Sequence, residues 1–398
     1  MRVALFTETF LPKIDGIVSV LLLTLEHFQR RGVEAVVVAH ERGVREYAGA
    51  RVIGVPGIAA PFYPELHLGP PTLNTYRQVK AFQPDIIHLV HPATIGAGGI
   101  VIARALHVPF IASFHTGIMQ MARFFNAGFL EPLLWAWTRW TFNMADARLA
   151  TSTRVQQELM AHGVKEVGLW RRGVDARKFH PRYRDAAMRA ALSDGYPEET
   201  ILLYVGRLSP EKQIEHIRAV LEAVPGTRLA IIGDGPHRER LAAHFAGLPV
   251  KFMGYMTGED LSRAYASADI LTFPSAWESF GLVVVEAMAS GLPVVASRVG
   301  GVTDVVTEGV NGYTFEPGDL DGLIAGVRAI VGEPGWREEM GRAARAFAEA
   351  QSWTTIMDEL LDVYRGVLAS RRTGAAVKLP SADILPVSRL PHSEREAH

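Results

Sequence analysis

Short apolar runs alternate with segments whose apolar positions recur at helical spacing, and the series occurs twice along the chain. In the first half, Val3–Phe6, Ala35–Val38, Ile86–Leu89, Phe110–Ser113 and Ala147–Ala150 are predicted strands, with helical patterns between them such as Val18–Arg31. In the second half the predicted strands are Ile201–Val205, Arg228–Ile232, Val250–Phe252, Ile270–Phe273 and Pro293–Ala296. Helices are predicted over Glu211–Ala223, Pro236–Phe245 and Gly258–Ala266. Strand–helix–strand order of this kind implies α/β domains, each a parallel sheet covered by helices on both faces. The stretch Trp170–Pro181 is charged and aperiodic and marks the boundary between a first domain, 1–174, and a second, 175–351. A last helix is predicted over about Ser352–Ala369, and 371–398 reads as a disordered tail. The crevice facing the carboxyl ends of both sheets is the expected ligand site.

Totals narrow the function classes. A length of 398 residues suits two domains, and 48% hydrophobic with 21% charged residues is ordinary for a globular enzyme. A net charge of −1 gives no case for nucleic-acid binding. The absence of cysteine excludes disulfides, thiolate metal sites and a cysteine nucleophile. No apolar run reaches the ~20 residues that span a bilayer, and the start reads as a strand and loop rather than a signal peptide. A cytoplasmic protein is expected, with attachment to a membrane surface left open.

The candidate chemistry sits where strands end. SAWESFGLVVVEAMASG, Ser275–Gly291, follows a predicted strand and places Glu278 before a helix start and Glu286 inside it. Backbone N–H groups of Ser279, Phe280, Gly281 and Leu282 would form an anion site at that start. The two acids would flank a bound phosphate, or else serve as a dipole partner and a structural acid. GRLSPEK follows another strand: Gly206 permits a sharp turn, and Arg207 and Lys212 supply two cations suited to a diphosphate. A solvated loop capped at Ser209-Pro210 is the plainer reading of that stretch. In IIGDGP, Gly233 and Gly235 make a tight turn, but Arg238 stands where a dinucleotide fingerprint needs its third glycine. That loop would be one wall of a nucleotide pocket and Met253–Tyr255 another. In the first domain, Gly16 follows Asp15 at a loop–helix junction that lets a phosphate or sugar approach the backbone, and SFHT puts His115 at a strand end. Asp319-Leu320-Asp321 reads as a helix cap rather than a metal motif, and no metal site is expected.

Taken together, Glu278-x7-Glu286, Gly206–Lys212, the Gly233 loop and the strand-end His115-Thr116 resemble retaining, nucleotide-sugar-dependent glycosyltransferases of family 4, over about Arg2–Ala369. The resemblance implies a GT-B fold: two Rossmann-like domains, with the final helix, 352–370, packing back on the first. It implies that Gly16 admits the donor phosphate, His115 contacts the transferred sugar, and Arg207 and Lys212 stabilise the diphosphate. It assigns Glu278 and the backbone of Ser279–Leu282 to sugar and phosphate, and Glu286 to the ribose, with no metal or other cofactor. Within the family, GARVIGV, FQPDIIH, LWRRGVD with FHPRYR, and DLSRAYASADI are similar to sulfolipid synthases, which move sulfoquinovose from its UDP derivative to diacylglycerol. The loop Pro12–Val20 is closer to lipid mannosyl- and glucosyltransferases using GDP-mannose or UDP-glucose, so donor and acceptor stay open between these. A sugar-nucleotide epimerase and a non-catalytic nucleotide-sugar binding module are the readings from other classes.

A lipid acceptor would meet the first domain. Ile118–Phe142 mixes Phe124, Phe125, Phe129, Trp135, Trp137, Trp140 and Phe142 with Arg123 and Arg139, which suits either an interfacial lipid contact or a buried aromatic helix. The basic stretch Arg171–Arg189 would attract anionic headgroups or form a solvated hinge, and Lys13 and Arg172 are cations available to a sulfonate. The expectation is a protein held peripherally on the inner face of a membrane.

Overall fold

The computed structural model describes residues 1–13, 16–60, 63–90, 93–115, 119, 128–171, 173–278 and 281–381, with backbone alone at 60, 63–66 and 334. The chain forms two compact units: Met1–Arg171 with Trp353–Ala382, and Arg172–Ser352.

The first unit is built on strands β1 (Arg2–Thr7), β2 (Glu34–His40), β3 (Glu46–Tyr47), β4 (Ala50–Val55), β7 (Ile86–Val90), β8 (Phe110–Phe114), β9 (Ala147–Ala150) and β10 (Val167–Leu169). They form one sheet in the order β10-β9-β8-β7-β1-β2-β4-β3, parallel except at β3–β4. A separate antiparallel pair joins β5 (Ile58–Ala60) to β6 (Tyr63–Leu68). The central strands are buried along nearly their whole length because helices cover both faces, which is why apolar and polar positions do not alternate in them. Helix boundaries follow local chemistry. Thr72 and Thr75 form a reciprocal capping box for Leu73–Phe82, and Ser152 accepts from the Val155 N–H to cap Thr153–Ala161.

The helix Trp353–Thr373 packs on the helix Gly16–Arg30. His27 Nε2 lies 2.8 Å from Asp358 Oδ1, and Arg31 pairs with the same carboxylate. Two details depart from the sequence reading. Val174, placed at the end of the first domain, donates to the Gln351 carbonyl and bridges to Ser352, so it counts with the second unit. The segment after Arg371 is not wholly without structure. The helix runs to Thr373, Arg371 pairs with Asp146, and the Pro380 carbonyl accepts from the Leu169 N–H along β10. Residues 382–398 lie outside the described residues.

The second unit has strands β11 (Thr200–Val205), β12 (Thr227–Ile232), β13 (Val250–Gly254), β14 (Ile270–Phe273), β15 (Val294–Ser297) and β16 (Gly312–Phe315), all parallel, in the order β13-β12-β11-β14-β15-β16. Strand order reverses between β11 and β14, and ligands of open α/β sheets bind beyond the carboxyl ends at such a point. The predicted helix Glu211–Ala223 is broken instead. Short 3-10 turns occupy Pro210–Lys212 and Ile214–His216, with Gln213 left-handed between them at φ 48°, and the α-helix is Ile217–Ala223. Asp319 accepts from the Gly322 N–H and so caps Leu320–Val331, as its position suggested. The buried Asp269 is matched by Arg189, Arg337 and the Ile201 N–H, which offsets the cost of removing its charge from water.

Candidate active site

In the second unit, the loops after β11 and β14 carry Gly206–Lys212 and Ser275–Glu278, so both acid- and base-bearing motifs flank the reversal point of the sheet. The break at Gln213 turns the chain so that Lys212 Nζ sits 2.9 Å from Glu278 Oε2. The same ammonium lies over the rings of Phe273 and Trp277. Lys212 is therefore held by one carboxylate and two aromatic faces. The backbone is locked from the other side, because the Ala276 N–H donates to the Glu211 carbonyl. The Arg207 backbone is fixed by Tyr204, whose buried hydroxyl donates to the Arg207 carbonyl at 3.0 Å while its ring stacks on Phe273.

Gly206 and Gly233 lie against each other. The Gly206 N–H donates to the Ile232 carbonyl, and the Leu208 N–H donates to the Asp234 carbonyl. A Cβ on Gly233 would fall 1.9 Å from the Gly206 oxygen. The glycine-rich turn thus braces the arginine-bearing loop. Met253 is a half-buried member of the core beneath it, whereas Tyr255 is exposed.

Gly281 adopts φ 62° and begins the helix Leu282–Ala289, with no side chain capping its first turn. Its terminal N–H groups are the kind of donors that hold an anion. Ser279 and Phe280 lie outside the described residues. Glu286 is one turn into that helix, half-buried, and accepts from the buried Tyr265 hydroxyl at 2.9 Å. Burial pushes its carboxyl up to about 7, against the pull of Tyr265 and Lys178 toward the anion. The folded protein therefore favours the neutral acid, and this contribution to stability is lost as pH rises from the unfolded-state value through about 7. Glu286→Gln is expected to stabilise the ligand-free protein by about 1–3 kcal/mol at pH 8, with the gain shrinking toward pH 5. Thermal melts across that range check the trend, and equal shifts at both ends would contradict it.

In the first unit, Gly16 opens the helix Gly16–Arg30 and is exposed, and an added Cβ there would meet no atom within 4 Å. Asp15 and Thr116 lie outside the described residues. Glu8, just past β1, accepts from the Ile95 N–H at 2.7 Å and from Thr94 Oγ1 at 2.9 Å. It joins the end of β1 to the helix after β7, and strand order in this sheet reverses between those two strands. His115 follows β8, buried, with its ring edge-on to Trp170 at 5.0 Å and Nε2 2.6 Å from Ser113 Oγ. Sequence reasoning missed Glu8, His88, Tyr204, Tyr265 and Tyr364. A signal existed for His88, which interrupts the apolar strand IIHLV much as Glu286 interrupts its apolar helix. Among the described residues, no group of three or more His, Asp or Glu side chains is arranged to hold a metal ion.

The second unit places Arg207, Lys212 and an uncapped helix start at the reversal of its parallel sheet, and the chain belongs to the family 4, group 1 glycosyltransferases of GT-B fold. The model for glycosyltransferase family 4 matches residues 14–178, and that for glycosyl transferases group 1 matches 193–347. The chain is 36% identical to the sulfoquinovosyl transferase of Arabidopsis thaliana, over 88% of this chain and 71% of that protein. It is 39% identical to a GDP-mannose-dependent alpha-mannosyltransferase of Mycolicibacterium smegmatis, over 94% of this chain and 100% of that one. In fold it is similar to the Anabaena protein HepE solved with UDP, with a TM-score of 0.73 at 20% identity, covering 92% of this chain and 100% of that chain. The protein is thus a glycosyltransferase that uses a nucleotide-sugar donor.

Proposed function

We propose that the enzyme transfers a sugar with retention, without a metal, from a nucleotide sugar to a membrane lipid, and that the pair is UDP-sulfoquinovose and diacylglycerol. The observation that carries the donor half is the Lys212–Glu278 pair beside the uncapped helix Leu282–Ala289, with Arg207 on the adjoining loop. Departure of the nucleoside diphosphate places negative charge where Arg207, Lys212 and the helix N–H groups can meet it. Glu278 fixes Lys212 and faces the sugar, and Glu286 binds the ribose hydroxyls. Two ribose O–H donors would favour the Glu286 anion and so reverse the effect of its burial. With retention, attack comes on the face the leaving group vacates, and a donor phosphate oxygen takes the acceptor proton. Gly16 admits the donor phosphate, and His115 contacts the transferred sugar. Met253 and Gly233 stand behind the nucleotide.

The lipid half rests on the helix Glu131–Asn143. Its aromatic residues divide by face. Trp135 and Phe142 are buried, while Leu133, Trp137 and Trp140 are 67%, 42% and 56% exposed, in line with Leu130 at helical spacing and next to the exposed Phe129. Such a stripe suits insertion into a headgroup layer. The contact proposed is peripheral, on the cytoplasmic face; no helix among the described residues is long and apolar enough to cross a membrane. The basic stretch is ion-paired at its two ends, while Arg177, Lys178, Arg182 and Arg184 are exposed. Arg171 pairs with Glu359, Arg189 with Asp269, and Arg182 lies over Tyr183. Phe124, Phe125, Arg123 and Arg172 lie outside the described residues. Leu133→Ser/Trp137→Ser/Trp140→Ser is expected to weaken binding to anionic vesicles at least tenfold while leaving the melting temperature nearly unchanged. Vesicle sedimentation measures this, and undiminished binding would remove the stripe from the account.

The mannosyltransferase relatives support a second donor, GDP-mannose, because this chain spans 94–100% of their length against 71% of the Arabidopsis relative. A panel of UDP- and GDP-sugars, offered with diacylglycerol vesicles and chelator, decides between them by the mass of the lipid product. Sulfoquinovosyl diacylglycerol is the expected product. A mannolipid would move the assignment to the second donor, and activity only with added divalent metal would overturn metal independence.

A further inference from the structure

A buried chain of hydrogen bonds runs through the first unit from its last helix to His115. The Tyr364 hydroxyl is 2.7 Å from His88 Nδ1. His88 Nε2 is 2.7 Å from Ser113 Oγ, which is 2.6 Å from His115 Nε2. Tyr364, His88, Ser113 and His115 are all at most 1% exposed, so water does not substitute for any link. Trp170 closes the chain on one side, with its ring 5.4 Å from His88 and 5.0 Å from His115.

The chain has one sensible polarity. Among the described residues, His88 is the one hydrogen-bonding partner of the Tyr364 hydroxyl. If that oxygen accepted from His88, two buried groups would go unmet among the described residues, the Tyr364 proton and the lone pair of His115 Nδ1, against the Nδ1 proton alone in the opposite sense, and each unmet group costs about 1–3 kcal/mol. Tyr364 therefore donates to Nδ1, and a neutral His88 must carry its proton on Nε2. Nε2–H donates to Ser113 Oγ. Ser113 has a single proton, and with Oγ receiving from His88 it passes that proton to His115 Nε2. His115 is left with its N–H on Nδ1.

We propose that Tyr364 is a positioning residue, whose hydroxyl acts through His88 and Ser113 to fix His115 as the Nδ1–H tautomer with Nε2 accepting. Burial holds His88 far below the usual imidazole range, at about 3, so it stays neutral and the polarity persists at working pH. The consequence is that His115 offers a hydrogen-bond donor on one defined nitrogen. This rests on the reading that His115 contacts the transferred sugar, whose oxygens can accept from that nitrogen. It also gives the last helix, far away in sequence, a function beyond covering the helix Gly16–Arg30.

Nitrogen NMR of histidine-labelled protein reads the tautomer directly, independently of turnover. Wild type is expected to show His115 protonated on Nδ1. Tyr364→Phe keeps the ring against Phe28 and removes the donor. It is expected to mix the His115 tautomers and to lower kcat about 3- to 10-fold, with donor KM within about twofold. Ser113→Ala should do the same, and Ser113→Thr, which keeps a hydroxyl, should restore both readouts. An Nδ1-deprotonated His115 in wild type, or an unchanged tautomer in Tyr364→Phe and Ser113→Ala, would overturn the relay. A tautomer shift with full turnover in Tyr364→Phe and His115→Asn alike would support the relay and overturn the sugar contact instead.

Discussion

Replacing Arg207 or Lys212 by alanine is expected to lower kcat by about 100- to 1,000-fold while changing donor KM much less. The reason lies in when charge develops. A nucleotide sugar already carries its diphosphate charge in the ground state, but bond cleavage adds a further negative charge to the terminal phosphate oxygens. A cation held in place before the reaction stabilises that increment without having to reorganise. Lys212 is held in this way, by Glu278 at 2.9 Å and by the faces of Phe273 and Trp277. Its loss also removes the ion pair with Glu278 next to the proposed sugar site, so Lys212→Ala should cost at least as much as Arg207→Ala. Lys212→Arg is not a rescue, since the planar guanidinium does not replace a compact ammonium seated among a carboxylate and two rings. Steady-state kinetics with saturating acceptor make the test. Turnover near wild type in both alanine variants would exclude leaving-group stabilisation by these residues.

The second large effect is on stability. Gly233→Ala should destabilise the second unit by about 3–6 kcal/mol, lowering the melting temperature by roughly 10 °C or preventing soluble expression. Two costs combine. Gly233 has φ 137°, a region that residues with a Cβ avoid, and the new methyl would sit 1.9 Å from the Gly206 oxygen and 2.9 Å from its carbon. Neither neighbour is a side chain that can rotate away, so the β11 and β12 loops must separate. Gly247 supplies the contrast. It also has positive φ, 82°, but nothing lies within 4 Å of its would-be Cβ. Gly247→Ala should therefore cost only about 1 kcal/mol. Comparable losses in the two variants would show that backbone strain, and not the contact between the loops, governs Gly233.

Much of the architecture was legible because buried parallel strands are written as short, mainly apolar runs, and ten such runs fell where β1, β2, β7, β8, β9 and β11–β15 lie. The strands that escaped were those without that signature. β10 is three residues long, β16 is four residues beginning on Gly312, and β4 is interrupted by Gly54 as well as Arg51. The motifs identified the family, whose models span most of the chain. They also located Lys212 and Glu278 on loops at neighbouring strand ends.

What the sequence determined by itself was therefore the periodicity, the two-part α/β organisation and the set of charged residues that end the strands, because these depend on local pattern. Tertiary structure alone decided how those residues are held. That Lys212 meets Glu278, that Tyr265 supports Glu286, that Gly233 braces Gly206, and that Tyr364 reaches Ser113 through His88 depend on contacts between residues from about 20 to more than 270 positions apart. The same holds for the aromatic helix. Its composition fits a core or a membrane surface equally, and only packing buries Trp135 while leaving Trp137 and Trp140 facing outward.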